Sequence, residues 1–162
     1  MENEMSWKIF EERAPQMASM DMERLHRKIA YLATLRQDGS PRLHPITLFI
    51  GNGMLFMLTE PSSSKIRDLR RDGRYALDSS VDRKESEALI ELHVSGKAQI
   101  IDYATVRQQA VEEIAASPVI TGEYILFEFH VDHALVVKYD RDGQRMIQHW
   151  HSHPTLIGRL SP

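Results

Sequence analysis

The 162-residue chain has no cysteine at all. That excludes a disulfide framework, a thiolate metal site and a cysteine nucleophile, and it suits a reducing compartment. There is no excess of basic charge either. Twenty Lys and Arg stand against 23 Asp and Glu, for a net charge of −3. A general nucleic-acid binder is usually basic, so no nucleic-acid partner is expected. No apolar run approaches the ~18 residues of a membrane span. The first residues, Met1-Glu2-Asn3-Glu4, are acidic, and no apolar stretch of signal-peptide type follows them. The expectation is a cytoplasmic protein with no membrane partner. Glycine-rich dinucleotide or Walker loops, a nucleophile elbow and a metalloprotease helix are all missing. Internal repeats, low-complexity tracts and linkers are missing too.

What remains is 42% hydrophobic and 27% charged residues, the balance of one ordinary folded domain spanning 1–162. Residues 1–28 read as helical. Trp7 and Phe10 share a face, Pro15 can open a second helix, and Ala18, Met22, Leu25 and Ile29 follow at helical spacing. These side chains suit core or subunit packing. The period then changes. Ile29 to Leu35 reads as a buried strand, Asp38-Gly39 as a hairpin turn, and Pro41 to Ile50 as the return strand. Pro41 and Pro45 remove ladder donors and point to an edge or a bulge. Gly51-Asn52-Gly53 turns the chain into a third strand, Met54 to Thr59.

A short helix is expected from about Ser64 to Arg71, with Ile66 and Leu69 inward and a serine as cap. Strands follow at Arg74–Ser79, Leu89–Ile101, Tyr124–Tyr139 and Gln144–His151, with a charged loop at 82–88. Gly96 marks a bulge. Thr105 and Gln108 have the spacing of a capping box, so 103–116 is expected as a helix. The segment 154–162 reads as a tail. The fold class is mainly β (α+β). Six or seven antiparallel strands with flanking helices favour a small barrel, because closure removes sticky edges.

Three stretches could carry chemistry. In the first, Ser62, Ser63 and Ser64 precede Lys65 at a helix start, and Arg67, Arg70, Arg71 and Arg74 follow. Unpaired amides, hydroxyls and an ammonium make a workable phosphate cradle. An exposed basic helix with an ordinary serine cap is the other reading. In the second, Arg42, His44 and Ile46 lie on one face of a strand interrupted by proline, which leaves backbone groups free for a ligand. A plain turn and edge strand would look the same. The third is His149, His151 and His153, alternating about Trp150. Alternate histidines share a strand face and could hold metal or haem, yet no carboxylate or cysteine sits nearby in sequence, and no metal site is assigned. Trp150 could stack on a planar ligand or pack at an interface. His130 and His133 read as ordinary strand residues.

Taken together, Tyr31-Leu32-Ala33-Thr34-Leu35, Asp38-Gly39-Ser40-Pro41-Arg42 and His44-Pro45-Ile46 resemble the opening of the pyridoxamine 5′-phosphate oxidase-like flavoproteins. Ser63-Ser64-Lys65 with Asp68 to Leu77 resembles their next signature, and Val94-Ser95-Gly96-Lys97-Ala98 the strand after it. The likeness covers roughly residues 29–101. It implies a split β-barrel with FMN at the interface of a homodimer. It implies that Lys65, Ser63 and Ser64 meet the FMN phosphate, with Arg42 and Arg67 as charge nearby. It further implies that His44, Pro45, Ile46 and Thr47 run along the isoalloxazine ring, that Leu58 and Thr59 line the pocket, and that Trp150 approaches the flavin. The end, Ile157 to Pro162, lacks the arginines and histidine that hold the substrate phosphate in pyridoxamine phosphate oxidases proper, so another small substrate is expected. Similar barrels use a deazaflavin coenzyme or bind haem. The reading is an FMN-dependent oxidoreductase, with His44 a candidate acid or base. A non-catalytic flavin or haem carrier is the alternative.

Overall fold

The computed structural model describes residues 6–79, 89–114 and 123–152. The loop expected at 82–88, His153 and the tail at 154–162 lie outside them. The elements run α1 (Ser6–Arg13), α2 (Pro15–Leu25), β1 (Ile29–Leu35), β2 (Pro41–Thr47), β3 (Phe49–Gly51), β4 (Met54–Thr59), α3 (Ser64–Arg71), β5 (Arg74–Ser79), β6 (Leu89–Ile100), α4 (Ala104–Ile114), β7 (Ile125–Tyr139) and β8 (Arg145–His151). All strand pairs between named strands are antiparallel. Among the described residues no helix is long and apolar enough to cross a membrane.

The sheet order is β2-β1-β5-β6-β7-β4-β3, with β8 pairing β7 off that path. Consecutive strands β2 and β3 therefore lie at opposite ends of the order, although only Leu48 separates them. One residue cannot span an open sheet of seven strands, each about 4.8 Å from the next. The sheet must curl until its two ends meet, which is the expected barrel. Leu48 is fully buried at this corner, bridged to His26, and its carbonyl accepts the Arg27 N–H at 2.7 Å. The single strand expected from Pro41 to Ile50 is therefore two. Its first part pairs with β1 and its second with β4, and this raises the count to eight strands among the described residues. β7 is long enough to serve two neighbours, β4 along Ile125–Glu128 and β8 along His133–Tyr139.

Trp7 and Phe10 of α1 are fully buried, and the Val131 N–H donates to Ser6 Oγ at 2.6 Å, tying α1 to β7. Pro15 opens α2 as expected. The helical stripe stops at Leu25, however. Met22 and Ile29 are exposed, and Ile29 starts β1. Nor is β1 buried on both faces, since Ile29 and Tyr31 face outward while Ala30, Leu32 and Thr34 face the core. The helix α4 begins one residue before Thr105, with Arg107 N–H bonded to the Tyr103 carbonyl, so no capping box forms. Under α4 lies a second, smaller core of Phe49, Met54, Phe56, Ile101, Ala110 and Leu126.

Gly96 sits at the expected irregularity. Ser95 pairs with His133 and Gly96 with Val131, so Asp132 is the extra residue of a bulge. A Cβ on Gly96 would collide with the His130 carbonyl oxygen. The bulge reverses the inward face of β7, from Phe127, Phe129 and Val131 to Ala134 and Val136. Gly96→Ala is expected to destabilise the fold by about 1–3 kcal/mol, the usual cost of overpacking. Urea unfolding measures it, and an unchanged midpoint would show that the bulge tolerates a side chain.

Candidate functional site

Alternation along β2 sends Arg42, His44 and Ile46 to one face and leaves Leu43, Pro45 and Thr47 exposed on the other. Register sets Arg42 beside Thr34 and His44 beside Leu32 of β1. The helix α3 packs behind them, with Ile66 and Leu69 buried as expected. Asp68 is buried on the same helix, with its side chain 3% exposed. Its Oδ2 accepts the Thr34 hydroxyl at 2.8 Å and lies 3.0 Å from Arg42 Nε, while Oδ1 meets Arg71 Nη2 at 3.3 Å. Arg71 also donates to the Leu35 carbonyl. Burial alone would raise the Asp68 pKa. The bonds from Thr34 and Arg71 and the charge of Arg42 outweigh it and hold the carboxyl below its ordinary value.

The Thr34 hydroxyl hydrogen is given to Asp68, so its oxygen is left to accept from His44 Nε2, 3.3 Å away. That assigns the Nε2–H tautomer and leaves Nδ1 as an acceptor. Burial, then Lys65 and Arg42, push the His44 pKa down, so the ring is neutral at pH 7. Lys65 lies close enough to act on His44. Burial lowers the Lys65 pKa, and Glu60 offsets part of that effect.

Ser63 occupies the N-cap position of α3 with extended backbone, but its hydroxyl caps no helix amide. It accepts from Lys65 Nζ at 2.7 Å instead. The expected serine cap is thus in place by position and diverted by chemistry. The first amides of α3 keep their partial positive charge without a side-chain oxygen upon them. Beside this lies an open cleft of about 540 Å³ lined by Arg36, Arg42, Arg67 and Arg71 against Asp38 and Asp68. Four guanidiniums against two carboxylates leave it cationic in a chain of net charge −3.

Arg42 and Arg67 line the cleft, while Lys65 reaches Ser63 and acts on His44, with Ser64 the first residue of α3. Other implied residues stand elsewhere. Ile46 is in the core, and Pro45 and Thr47 turn their side chains to the outer face. Thr59 ends β4 opposite Ile125, and Leu58 packs against the second core under α4. Trp150 faces inward, its ring 4.8 Å from Phe10. The sequence reading gave Thr34, Arg36 and Asp68 no role at the site, and named Arg71 only among the basic residues that follow Lys65. One signal was available, because Thr34 is the polar residue at an inward position of an otherwise apolar strand.

A second constellation lies on β7 and β8. His133 pairs directly with His151, their ring centroids 4.5 Å apart, and His133 Nε2 is 3.4 Å from His149 Nδ1. His133 was read as an ordinary strand residue. The bulge at Asp132 turns it outward instead. His130, on the other side of the bulge, is 3.5 Å from the Glu128 carboxylate, whose hydrogen bond raises its pKa.

The model of the family described as pyridoxamine 5′-phosphate oxidase matches residues 20–138. No match was found among curated proteins. A NimC/NimA family protein from Clostridium acetobutylicum is similar in structure, with TM-score 0.63 at 16% identity over 88% of this chain and 98% of that one. A heme binding protein from Mycobacterium smegmatis gives TM-score 0.63 at 16% identity, over 81% of this chain and 56% of that one. PhzG from Burkholderia lata 383, solved in complex with tetrahydrophenazine-1-carboxylic acid, gives 0.60 at 15% identity over 93% and 89%. At these identities the likenesses show the fold.

Replacing Asp68 by Asn leaves Arg42 and Arg71 facing each other without a counter-charge. The expected loss at pH 7 is about 2–3 kcal/mol, below the roughly 3–5 of a fully buried pair because both arginines partly reach solvent. Because the folded-state pKa lies below the ordinary 3.8, the Asp68 contribution is full above about pH 4 and is lost as pH falls through the lowered value. Unfolding at pH 7 and in acid should therefore show native protein and variant converging. Parallel curves would mean that Asp68 does not carry the acid sensitivity.

Proposed function

The chain belongs to the pyridoxamine 5′-phosphate oxidase family, and on that premise we propose that it is an FMN-dependent oxidoreductase acting as a homodimer on a small substrate. The reading rests on two adjoining cationic features: Lys65, which reaches Ser63 at the start of α3 and acts on His44, and the cleft lined by Arg36, Arg42, Arg67 and Arg71. A phosphate monoester is dianionic near neutrality. Charge-assisted hydrogen bonds contribute roughly 1.5–3 kcal/mol each, so two or three anchor it. Ser63 and Ser64 supply hydroxyls, and the N-terminal turn of α3 supplies a dipole of the right sign. Arg71 and Arg42 hold Asp68 and keep the guanidinium groups in place.

Among the described residues β2 pairs on one side only, with β1, so half of its backbone donors and acceptors face away from the ladder. Residues His44 to Thr47 along that edge would hold the flavin ring through their backbone groups. Pro45 has no N–H there, which leaves the neighbours to bond the heterocycle. Bound flavin supplies hydride exchange, and the protein binds, orients and tunes it. Neutral His44, fixed through Thr34 and Asp68, would offer Nδ1 as an acceptor to a ring held there. Deazaflavin coenzyme and haem are the competing occupants, and a carrier without turnover is the competing role.

Support for the dimer comes from the outer face of β1 and β2. Ile29, Tyr31 and Leu43 are 55%, 42% and 66% exposed in one chain. The register sets Leu43 opposite Ala33, and Tyr31 opposite Pro45, on one contiguous face. Exposed apolar patches of this kind mark interaction surfaces.

Titration of the purified protein with FMN and riboflavin separates phosphate recognition from ring binding. FMN should bind more tightly, and Lys65→Ala should weaken FMN by about 10–100-fold while leaving riboflavin unchanged. Equal loss for both ligands, or none, would remove Lys65 from the phosphate site. Turnover of reduced nicotinamide with an electron acceptor in the FMN-loaded protein separates an enzyme from a carrier. Leu43→Glu should shift the sedimentation coefficient from dimer to monomer. A native protein already monomeric would refute the shared interface.

A further inference from the structure

We propose that His133, His149 and His151 form a binding site for a divalent transition-metal ion of borderline softness, with zinc as the reference ion. The site lies on the β7–β8 hairpin, apart from the β2–α3 corner, and does not depend on the flavin reading. Strand alternation brings His149 and His151 to one face of β8. Antiparallel register then sets His133 opposite His151. The third donor is there because of the bulge. With strict alternation from Val131, His133 would point into the core.

The geometry suits a small ion. One ligand nitrogen from each of the three rings lies within 4.8 Å of the others. Zinc–nitrogen bonds of about 2.0–2.1 Å at tetrahedral angles need donors about 3.3–3.4 Å apart. His133 Nε2 and His149 Nδ1 are already at 3.4 Å, and the His151 ring needs only a side-chain rotation to close the set. The rings of His149 and His151 are parallel within 2° with centroids 6.4 Å apart, so one of them must turn before both in-plane lone pairs meet a shared ion. Among the described residues no carboxylate or cysteine joins the cluster, so the donor set is three imidazoles. Imidazole suits zinc, copper, nickel and iron and does not suit magnesium or calcium. His149 and His151 are exposed and His133 is partly so, which gives the ion an entry path and leaves its fourth position to water or a second ligand. Haem fits less well, because its iron needs only one or two imidazoles and its macrocycle needs a pocket, whereas these three lie clustered at the surface. Three imidazoles converging from one surface fit a bare ion.

The test uses tag-free, chelator-stripped full-length protein. Cobalt(II) is titrated in and followed by its visible absorption, then displaced by zinc. The expected result is saturation at one ion per chain, with affinity falling by about 100-fold or more in each of His133→Gln, His149→Gln and His151→Gln, since losing a direct ligand costs at least as much as losing its supporting partner. Far-ultraviolet circular dichroism confirms that each variant is folded. His149 and His151 are exposed, so their variants keep the test valid if His133→Gln fails to fold. Two outcomes would overturn the assignment: saturation only at millimolar metal, or unchanged affinity in folded His133→Gln.

Discussion

A single buried leucine joins the two ends of the sheet. Leu48 follows the last residue of β2 and precedes the first of β3, and these strands lie at opposite ends of the strand order. The chain can make that step only if the sheet curls back on itself. Once it does, β2 has one partner strand among the described residues, β4 is drawn beside β7, and α3 settles against β1. The cationic cleft lies at the other end of β2, by its hairpin from β1, where Arg36 and Arg42 meet the Arg67, Asp68 and Arg71 side of α3.

Charge at that corner is organised around a buried anion. Burying a carboxylate costs several kcal/mol unless partners offset it. Asp68 has Thr34, Arg42 and Arg71. The same bonds fix the two guanidiniums and, through the Thr34 hydroxyl, the His44 ring. The cleft keeps a positive excess while its cations are held in defined positions. Lys65 is drawn into the same environment by burial and is steadied by Ser63. An arrangement of this kind loses little side-chain entropy when an anionic ligand arrives, because the order is already present.

The bulge opposite Gly96 plays a comparable part at the other end of the sheet. It bends β7, lets β4 and β8 use different lengths of one strand, and reverses which residues face the core. One extra residue, Asp132, therefore decides that His133 meets His149 and His151 at the surface. Fold and surface chemistry are coupled there through strand parity alone.

Much of this was readable locally. Asp38-Gly39, Asn52-Gly53 and Asp142-Gly143 are turns in the structure, with Gly39, Asn52, Gly53 and Gly143 at positive φ, because turn chemistry is set by nearest neighbours. Strand alternation placed Arg42 with His44, and Ile66 with Leu69 marked the inward face of α3. The Ser63-Ser64-Lys65 signal was visible for the same reason. What could not be read was anything set by partners distant in sequence. The division of β2 from β3 depends on which strands compete for Leu48 and its neighbours. The Thr34–Asp68 bond joins residues 34 apart, and the contact of Trp150 with Phe10 joins the last strand to the first helix. Sequence by itself determined the elements and their turns, since periodicity and turn preference act within a few residues. Tertiary structure alone decided register, parity after the bulge and the company each polar side chain keeps. Those depend on how the whole sheet closes around one core.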